Sequence, residues 1–221
     1  MHYRIGTRGS KLALVQSEYV KRRMEEAYPE DTFELVIIKT TGDKVTDKPL
    51  AAIGTKGLFV KEIEEALLSG SIDMAVHSMK DMPAECEAGL TFAKAWKRED
   101  CRDVLILKNA GSFSELPLGA VIGTGSLRRA CQLAMLRPDI QFTAIRGNVD
   151  TRINKLMDDS YGLDGIVLAA AGLNRLGRSS EITEYLDPEV VIPAPAQGVL
   201  AIETAEVNTE LLDKINALSD D

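Results

Sequence analysis

Short apolar runs alternate with segments of helical periodicity along most of the chain. The runs at residues 3–6, 33–38 and 72–76 are long enough for buried strands and too short for helices. Residues 11–27 and 58–68 carry apolar side chains at helical spacing and predict amphipathic helices. Strands that alternate with helices favour parallel sheets covered on both faces, which is an α/β fold.

The alternation stops at a charged stretch, residues 96–101, and then restarts. Further strands are predicted at 120–122, 142–145 and 165–170, with helices at 127–136 and 149–157. Residues 193–198, with the sequence Pro-Ala-Pro-Ala-Gln-Gly, mark a return crossing, after which a strand at 199–203 and a helix at 210–218 rejoin the first half. The pattern therefore predicts two doubly wound domains, joined by hinge crossings near 96–101 and 193–198 with a cleft between them.

These crossings predict a discontinuous first domain. Domain 1 comprises residues 1–96 plus 198–221, and domain 2 comprises residues 97–197. Two hinged α/β domains of this kind resemble periplasmic binding proteins.

Composition narrows the possible partners. The net charge is −8 and the pI is near 5.0, which argues against a general nucleic-acid surface. Cys86, Cys101 and Cys131 form no CxxC pair, so neither a zinc site nor a disulfide framework is predicted. The first residues lack the apolar core of a signal peptide, and no apolar run reaches the ~18 residues that span a bilayer. We expect a cytoplasmic protein in a reducing compartment, with no membrane partner.

The stretch His77-Ser-Met-Lys-Asp-Met-Pro83 follows the apolar run at 72–76. Ligands of open α/β sheets bind at the carboxyl ends of strands, so His77, Ser78, Lys80 and Asp81 suggest a site. The alternative is that Asp81 only begins a turn, that His77 is a core residue and that Lys80 is solvated. Serine hydrolysis is disfavoured because there is no Gly-x-Ser-x-Gly elbow. Asp81 is then the best acid/base candidate.

A strand followed by a Gly-containing turn and an arginine recurs three times along the chain. The examples are Arg8-Gly-Ser10, Thr124-Gly-Ser-Leu-Arg-Arg129, and Arg146-Gly-Asn148 with Arg152. Helix N-termini attract anions, and arginine offers a planar fork to a carboxylate or phosphate. The Gly-containing stretches at 54–57 and 123–125 are incomplete as phosphate-binding fingerprints. For any one arginine a solvated position is the alternative, whereas the three together favour a polyanionic ligand.

Five motifs in order resemble porphobilinogen deaminase, also called hydroxymethylbilane synthase. They are residues 77–83 (HSMKDMP), 123–129 (GTGSLRR), 146–152 (RGNVDTR), 171–177 (AGLNRLG) and 193–198 (PAPAQG), and the match runs from about residue 4 to 218. The resemblance implies a cytosolic transferase of tetrapyrrole (haem) biosynthesis. Such an enzyme joins four porphobilinogen molecules head to tail, releases ammonia each time and builds on a dipyrromethane primer.

The resemblance also implies roles for particular residues. Asp81 matches the catalytic aspartate, which helps the substrate amine leave and stabilises the cationic pyrrole that follows. Residues 40–56 match a flexible active-site lid. Positions that match binding residues for the substrate and the primer are Arg8, Ser10, Lys56, Ser78, Lys80, Thr124, Ser126, Arg128, Arg129, Arg146, Arg152, Arg175, Gln197 and Gly198.

One expectation concerns a part of the family pattern that these 221 residues do not contain. The family has a third domain in which a cysteine after two glycines holds the dipyrromethane through a thioether. No Gly-Gly-Cys occurs here, so we expect weak activity or none from this chain alone, and a separate third domain as a partner. A monomer is expected. The alternative function is a non-catalytic module that binds polycarboxylates or pyrroles.

Overall fold

The computed structural model describes residues 1–41 and 60–220. The chain divides into two compact units, which are Met1–Arg98 with Val199–Asp221, and Glu99–Gly198. The boundaries expected from the sequence lie within two residues of these.

The described residues form ten strands and six α-helices. The strands are β1 (His2–Thr7), β2 (Thr32–Ile37), β3 (Met74–Ser78), β4 (Leu90–Phe92), β5 (Asp103–Leu107), β6 (Val121–Gly123), β7 (Gln141–Thr143), β8 (Gly165–Ala169), β9 (Glu184–Tyr185) and β10 (Leu200–Ala205). The helices are α1 (Lys11–Ala27), α2 (Lys61–Leu68), α3 (Leu127–Leu136), α4 (Val149–Met157), α5 (Ala170–Arg175) and α6 (Thr209–Asn216).

Each unit is built on a five-stranded sheet. The strand order is β2-β1-β3-β10-β4 in unit 1 and β7-β6-β8-β5-β9 in unit 2. In unit 1, β1 runs parallel to β2 and β3, whereas β10 runs antiparallel to β3 and β4. In unit 2, β6 runs parallel to β7 and β8, whereas β5 runs antiparallel to β8 and β9.

The two sheets are therefore mixed, and the expectation of parallel sheets holds for only part of each. The antiparallel strands β5 and β10 are the first strands after each chain crossing. A strand that is not tied to its neighbour by a crossover helix is free to run in the opposite direction. The alternation of strands and helices therefore does not predict the direction of such a strand.

Helices cover both faces of each sheet. In unit 1, α1 and α6 pack on one face through residues such as Val20 and Leu211, and α2 packs on the other through Ile63. In unit 2, α3 covers one face through Leu133, and α4 and α5 cover the other. Burying a leucine or isoleucine side chain stabilises a fold by roughly 1.5–3 kcal/mol. These cores fix the sheet edges from which the candidate site residues project.

Candidate functional site

Asp81 lies just beyond the carboxyl end of β3. A 3-10 turn, Met79–Asp81, follows the strand directly, and the Met79 N–H donates to the Val199 carbonyl oxygen at 3.0 Å. Met82 is extended (φ −78°, ψ 148°), as expected for a residue before proline. Lys80 and Asp81 are both exposed. The turn thus presents the Asp81 carboxylate to solvent at the edge of the unit 1 sheet.

The neighbouring strand β1 brings Arg8 and Ser10 to the same edge, because β1 and β3 are parallel neighbours. Ser10 caps α1, and its Oγ accepts from the Ala13 N–H at 3.3 Å. Ser78 is bound to α1 as well, since its Oγ accepts from Gln16 Nε2 at 3.0 Å. Ser10 and Ser78 therefore stabilise this edge through their hydrogen bonds to α1. Arg8 is half-buried.

His77 lies inside β3 and not after it, so it does not join Asp81 at the edge. The imidazole is buried, and its Nε2 lies 3.2 Å from Glu203 Oε2 on β10. Cys86 Sγ donates to Glu203 Oε1 at 3.5 Å. Burial and the Glu203 carboxylate raise the pKa of the Cys86 thiol to about 12. Burial, reinforced by Glu203, also raises the pKa of Glu64 on α2.

In unit 2, the first arginine motif forms the start of α3. Ser126 is the N-cap, with its Oγ accepting from the Arg129 N–H at 3.5 Å, and the buried Thr124 Oγ1 accepts from the Ser126 N–H at 3.2 Å. Arg128 and Arg129 follow in the first turn. The turn at Thr124–Ser126 is thus ordered by its own hydroxyl groups.

Both arginines meet Asp103, the first residue of β5, which has no exposed surface. Arg129 Nε and Nη2 donate to Asp103 Oδ1 at 3.0 and 2.7 Å, and Arg128 Nη2 lies 2.7 Å from Oδ2. Gln197 Nε2 donates to the same carboxylate at 2.9 Å and to the Cys101 carbonyl oxygen at 2.7 Å. Removing one partner from a buried ion pair typically costs about 3–5 kcal/mol.

The arginines also set the charge state of Asp103. Burial by itself would raise the pKa of the carboxyl group. The charge of Arg129 and the hydrogen bonds from Arg129, Gln197 and Arg128 outweigh burial, so the pKa lies below its usual value. Asp103 is therefore an ionised, buried anchor for the residues around it.

The second arginine motif of unit 2 forms the start of α4. Asn148 caps this helix, with its Oδ1 accepting from the Thr151 N–H at 2.8 Å, and Arg152 Nε donates to the Gly147 carbonyl oxygen at 2.8 Å. Lys155 Nζ donates to the Arg146 carbonyl oxygen at 3.2 Å. Arg146 Nη2 is buried and has no hydrogen-bond partner among residues 1–41 and 60–220. A buried, unpaired guanidinium nitrogen is unfavourable and is suited to an anionic ligand.

Arg175, Gln197 and Gly198 tie the two crossings together within unit 2. Arg175 Nη2, at the end of α5, donates to the Gly198 carbonyl oxygen at 2.7 Å, and the Glu99 N–H donates to the same oxygen at 3.1 Å. Gly198 has a φ of +92°, which favours glycine at this position. These contacts give all three residues a structural role in the crossing.

The structure brings most of the predicted residues of unit 2 to one edge of its sheet. Strands β6, β7 and β8 are parallel neighbours, so the motifs that follow them share the edge at their carboxyl ends. Lys56, and the expected lid from residue 42 onward, lie outside the described residues. Within the described ranges, no group of three or more His, Cys, Asp or Glu residues is arranged to hold a metal ion. No helix in these ranges is long and apolar enough to cross a membrane.

Comparison with protein families identifies the family of the chain. The model of the porphobilinogen deaminase dipyrromethane-cofactor-binding domain matches residues 3–213. The chain belongs to the porphobilinogen deaminase family.

Individual relatives agree with this assignment. A porphobilinogen deaminase of Lachnospira eligens is 98% identical over 221 residues, which cover the whole chain and 75% of the relative. Those of Syntrophus aciditrophicus and Clostridioides difficile are both 52% identical, cover 98% and 100% of the chain, and are themselves covered to 70% and 73%. The chain thus spans about three quarters of the length of these porphobilinogen deaminases.

Solved structures resemble the fold. A putative lipoprotein from Actinomyces odontolyticus superposes with a TM-score of 0.57 at 16% identity, covering 98% of the chain and 89% of that protein. The methionine-binding protein MetQ gives 0.56 at 14% identity, with coverage of 98% and 89%. At such low identity the likeness concerns the fold alone, and it confirms the expected binding-protein-like α/β architecture.

Several residues of these sites were not anticipated from the sequence. Asp103 is the main one, and Gln16 and Glu203 are the others. The available signal was a single acidic residue within an otherwise apolar run, as in the Asp-Val-Leu-Ile-Leu sequence of β5 and the Leu-Ala-Ile-Glu of β10. A charge inside a buried strand requires a partner.

Proposed function

We propose that this chain carries the substrate-side chemistry of hydroxymethylbilane synthesis, the stepwise deamination and head-to-tail joining of four porphobilinogen molecules. The observation that carries the proposal is the 98% identity to a porphobilinogen deaminase over all 221 residues. The exposed Asp81 carboxylate at the end of β3 supports it, because it gives the chain an acid/base group at a strand end.

The pyrrole substrate carries acetate and propionate side chains, which require cationic partners. We assign their binding to the arginines at the sheet edges, in particular Arg8 in unit 1 and Arg128, Arg146 and Arg152 in unit 2. Each charge-assisted hydrogen bond contributes roughly 1.5–3 kcal/mol. Ser10, Thr124 and Ser126 order the turns that present these arginines.

We assign the acid/base step to Asp81. Its carboxylate accepts a hydrogen bond from the protonated amine of porphobilinogen and keeps this nitrogen protonated, so that it leaves as ammonia. The same carboxylate then faces the positive charge that develops on the pyrrole. A fixed negative group aimed at developing positive charge lowers the barrier electrostatically. Lys80, exposed next to Asp81, is assigned to a substrate carboxylate.

The residues of unit 2 fit the dipyrromethane named by the family model. The observation behind this is Arg146 Nη2, which is buried and unpaired among the described residues. We propose that Arg146, with Arg128 and Ser126, holds the carboxylates of this group, which when bound supplies the pyrrole carbon to which the first substrate is joined. We predict that none of Cys86, Cys101 and Cys131 anchors it, because none of them follows two glycines.

We further propose a cytoplasmic location and a monomeric chain. The location is supported by the three cysteines, all of which are free.

The test is an assay of hydroxymethylbilane formation from porphobilinogen, with the purified chain and with the C-terminal quarter of a full-length relative added. We expect product in the complemented reaction, and a fall of about 100-fold or more for Asp81→Asn, the size typical of a lost acid/base group. Intact-mass measurement reports at the same time whether a dipyrrole is attached to the chain.

The matched control is Glu85→Gln, which removes an exposed carboxylate from the same loop. It should keep the native rate. Absence of product from the complemented native chain would contradict the enzymatic proposal. Unchanged turnover in Asp81→Asn would contradict only the role of Asp81.

A further inference from the structure

The two neighbouring arginines of α3 differ sharply in how their guanidinium groups are used. Arg129 has an 8% exposed side chain, and it donates from Nε and Nη2 to Asp103 and from Nη1 to the Val167 carbonyl oxygen at 3.1 Å. Its planar fork is thus engaged on both sides inside unit 2. Little of Arg129 is left for a ligand.

Arg128 is in a different position. Its side chain is 27% exposed, with Nη2 at 2.7 Å from Asp103 Oδ2 and Nη1 donating to the Ile192 carbonyl oxygen. Two guanidinium groups here share one carboxylate, so one positive charge remains unbalanced. It is most accessible on Arg128, in the first turn of α3, where the helix N-terminus adds a partial positive charge.

The Asp103 carboxylate is itself held from a third side. Gln197 Nε2 bonds both Asp103 Oδ1 and the Cys101 carbonyl oxygen, and Asp103 has no exposed surface. The carboxylate therefore cannot turn to follow a mobile arginine, and the arginines must adopt the orientation that it imposes.

We propose that Asp103 is a positioning residue that gives the two arginines different roles: it holds Arg129 within the fold of unit 2 and aims Arg128 at the carboxylate groups of the pyrrole ligand. The identity of this ligand rests on the proposed function. The division between the two arginines rests only on the contacts above.

The first experiment needs no ligand. The native chain is treated with phenylglyoxal, which modifies accessible arginines, and each site is followed by peptide mass spectrometry. Arg128 should react about tenfold faster than Arg129, in line with its greater exposure and fewer hydrogen bonds. Arg8, in the other unit, is the internal reference. Equal rates for Arg128 and Arg129 would overturn the division.

The second experiment compares the matched variants Arg128→Lys and Arg129→Lys, which keep the charge and lose the fork. Arg128→Lys should lower the melting temperature less than Arg129→Lys does and lose porphobilinogen affinity by about tenfold or more, as expected for a lost charge-assisted bond. Arg129→Lys should melt at a lower temperature, because it loses the fork that engages the buried Asp103. A large affinity loss in Arg129→Lys at an unchanged melting temperature would contradict the proposal.

The third experiment tests the positioning role of Asp103. Asp103→Asn should raise the labelling rate of Arg129 relative to Arg8 and weaken porphobilinogen binding, and Asp103→Glu should restore part of both. Unchanged labelling in a folded Asp103→Asn chain would overturn it. If the native chain does not bind porphobilinogen at all, the ligand of the proposed function is wrong, while labelling and melting still decide the roles of the arginines.

Discussion

Glu203 is a charged side chain with no exposed surface in the middle of β10. Its carboxylate faces His77 Nε2 at 3.2 Å and accepts from Cys86 Sγ. His77, Ala75, Ala201 and Glu203 share the sheet face that α2 covers, because side chains alternate along strands and paired residues share a face. The histidine of the His77–Pro83 motif thus belongs to a buried polar cluster, separate from the exposed Asp81.

This cluster predicts the reactivity of Cys86. The raised pKa, about 12, leaves almost no thiolate at neutral pH, and the thiolate is the reactive form. Glu203→Gln removes the negative charge, so Cys86 should be alkylated several-fold faster by iodoacetamide at pH 7.5 in this variant than in the native chain. Peptide mass spectrometry measures the rate.

The exposed Cys131, in the other unit, is the control for Cys86 and should react at the same rate in both chains. A Cys86 rate that does not change in folded Glu203→Gln would show that desolvation of the thiol, without the Glu203 charge, keeps its reactivity low.

Single residues also show which features of the site could be predicted from the sequence and which could not. The position of Asp81 at a strand end was predictable, because a short apolar run followed by polar residues and proline is typical of a strand that ends in a turn. The pairing of Asp103 with Arg128 and Arg129 was not, since it joins residues 25 and 26 positions apart through the sheet order. Periodicity reports which face of an element is buried and not which buried charges meet.

At the scale of elements, the long helices were predicted most accurately, whereas the short α5 was not assigned as a helix. The expected ranges 11–27, 127–136 and 149–157 coincide with α1, α3 and α4. Strand β5 was not assigned, because it directly follows the charged crossing, and β9 contains only Glu184 and Tyr185. In a long helix the apolar periodicity and the capping residues indicate the same bounds, whereas a short strand offers only a few residues from which to predict it.

The N-cap of α4 yields a prediction at this scale. Asn148 Oδ1 accepts from both the backbone N–H and the hydroxyl of Thr151 at 2.8 Å. Asn148→Ala should destabilise unit 2 by about 1 kcal/mol, the usual cost of losing a cap. Hydrogen exchange of the first α4 amides should speed up, and Arg152, one turn into the helix, should become more mobile.

Asn148→Asp is the matched variant, because aspartate caps helices as well as asparagine does. It should keep native exchange rates at neutral pH. Equal exchange in all three chains would mean that tertiary packing alone holds the start of α4.

At the scale of the whole molecule, the mixed sheets show that the strand order depends on the chain crossings and not only on the hydrophobic pattern of each segment. Each unit is completed by a strand on the far side of a chain crossing, β5 in one unit and β10 in the other. Unit 1 in particular needs both ends of the chain, since β1 and β10 lie in one sheet and α6 packs beside α1. Its stability should therefore depend on contacts between residues about 200 positions apart.

Asp31 is the ionic contact that joins these ends, and it yields the last prediction. Its buried carboxylate pairs with the Met1 ammonium at 2.5 Å and with Lys214 Nζ of α6 at 2.6 Å. The hydrogen bond from Lys214, followed by that from the N-terminus, lowers the pKa of Asp31. A carboxyl group with a lowered pKa in the folded state stabilises the fold at neutral pH and loses this contribution as the pH falls through that value.

Asp31→Asn should therefore lower the melting temperature at pH 7, and its difference from the native chain should shrink on acidification. Glu30→Gln, at the exposed neighbouring position, should melt like the native chain, and a difference for Asp31→Asn that stayed constant with pH would refute the ionic explanation.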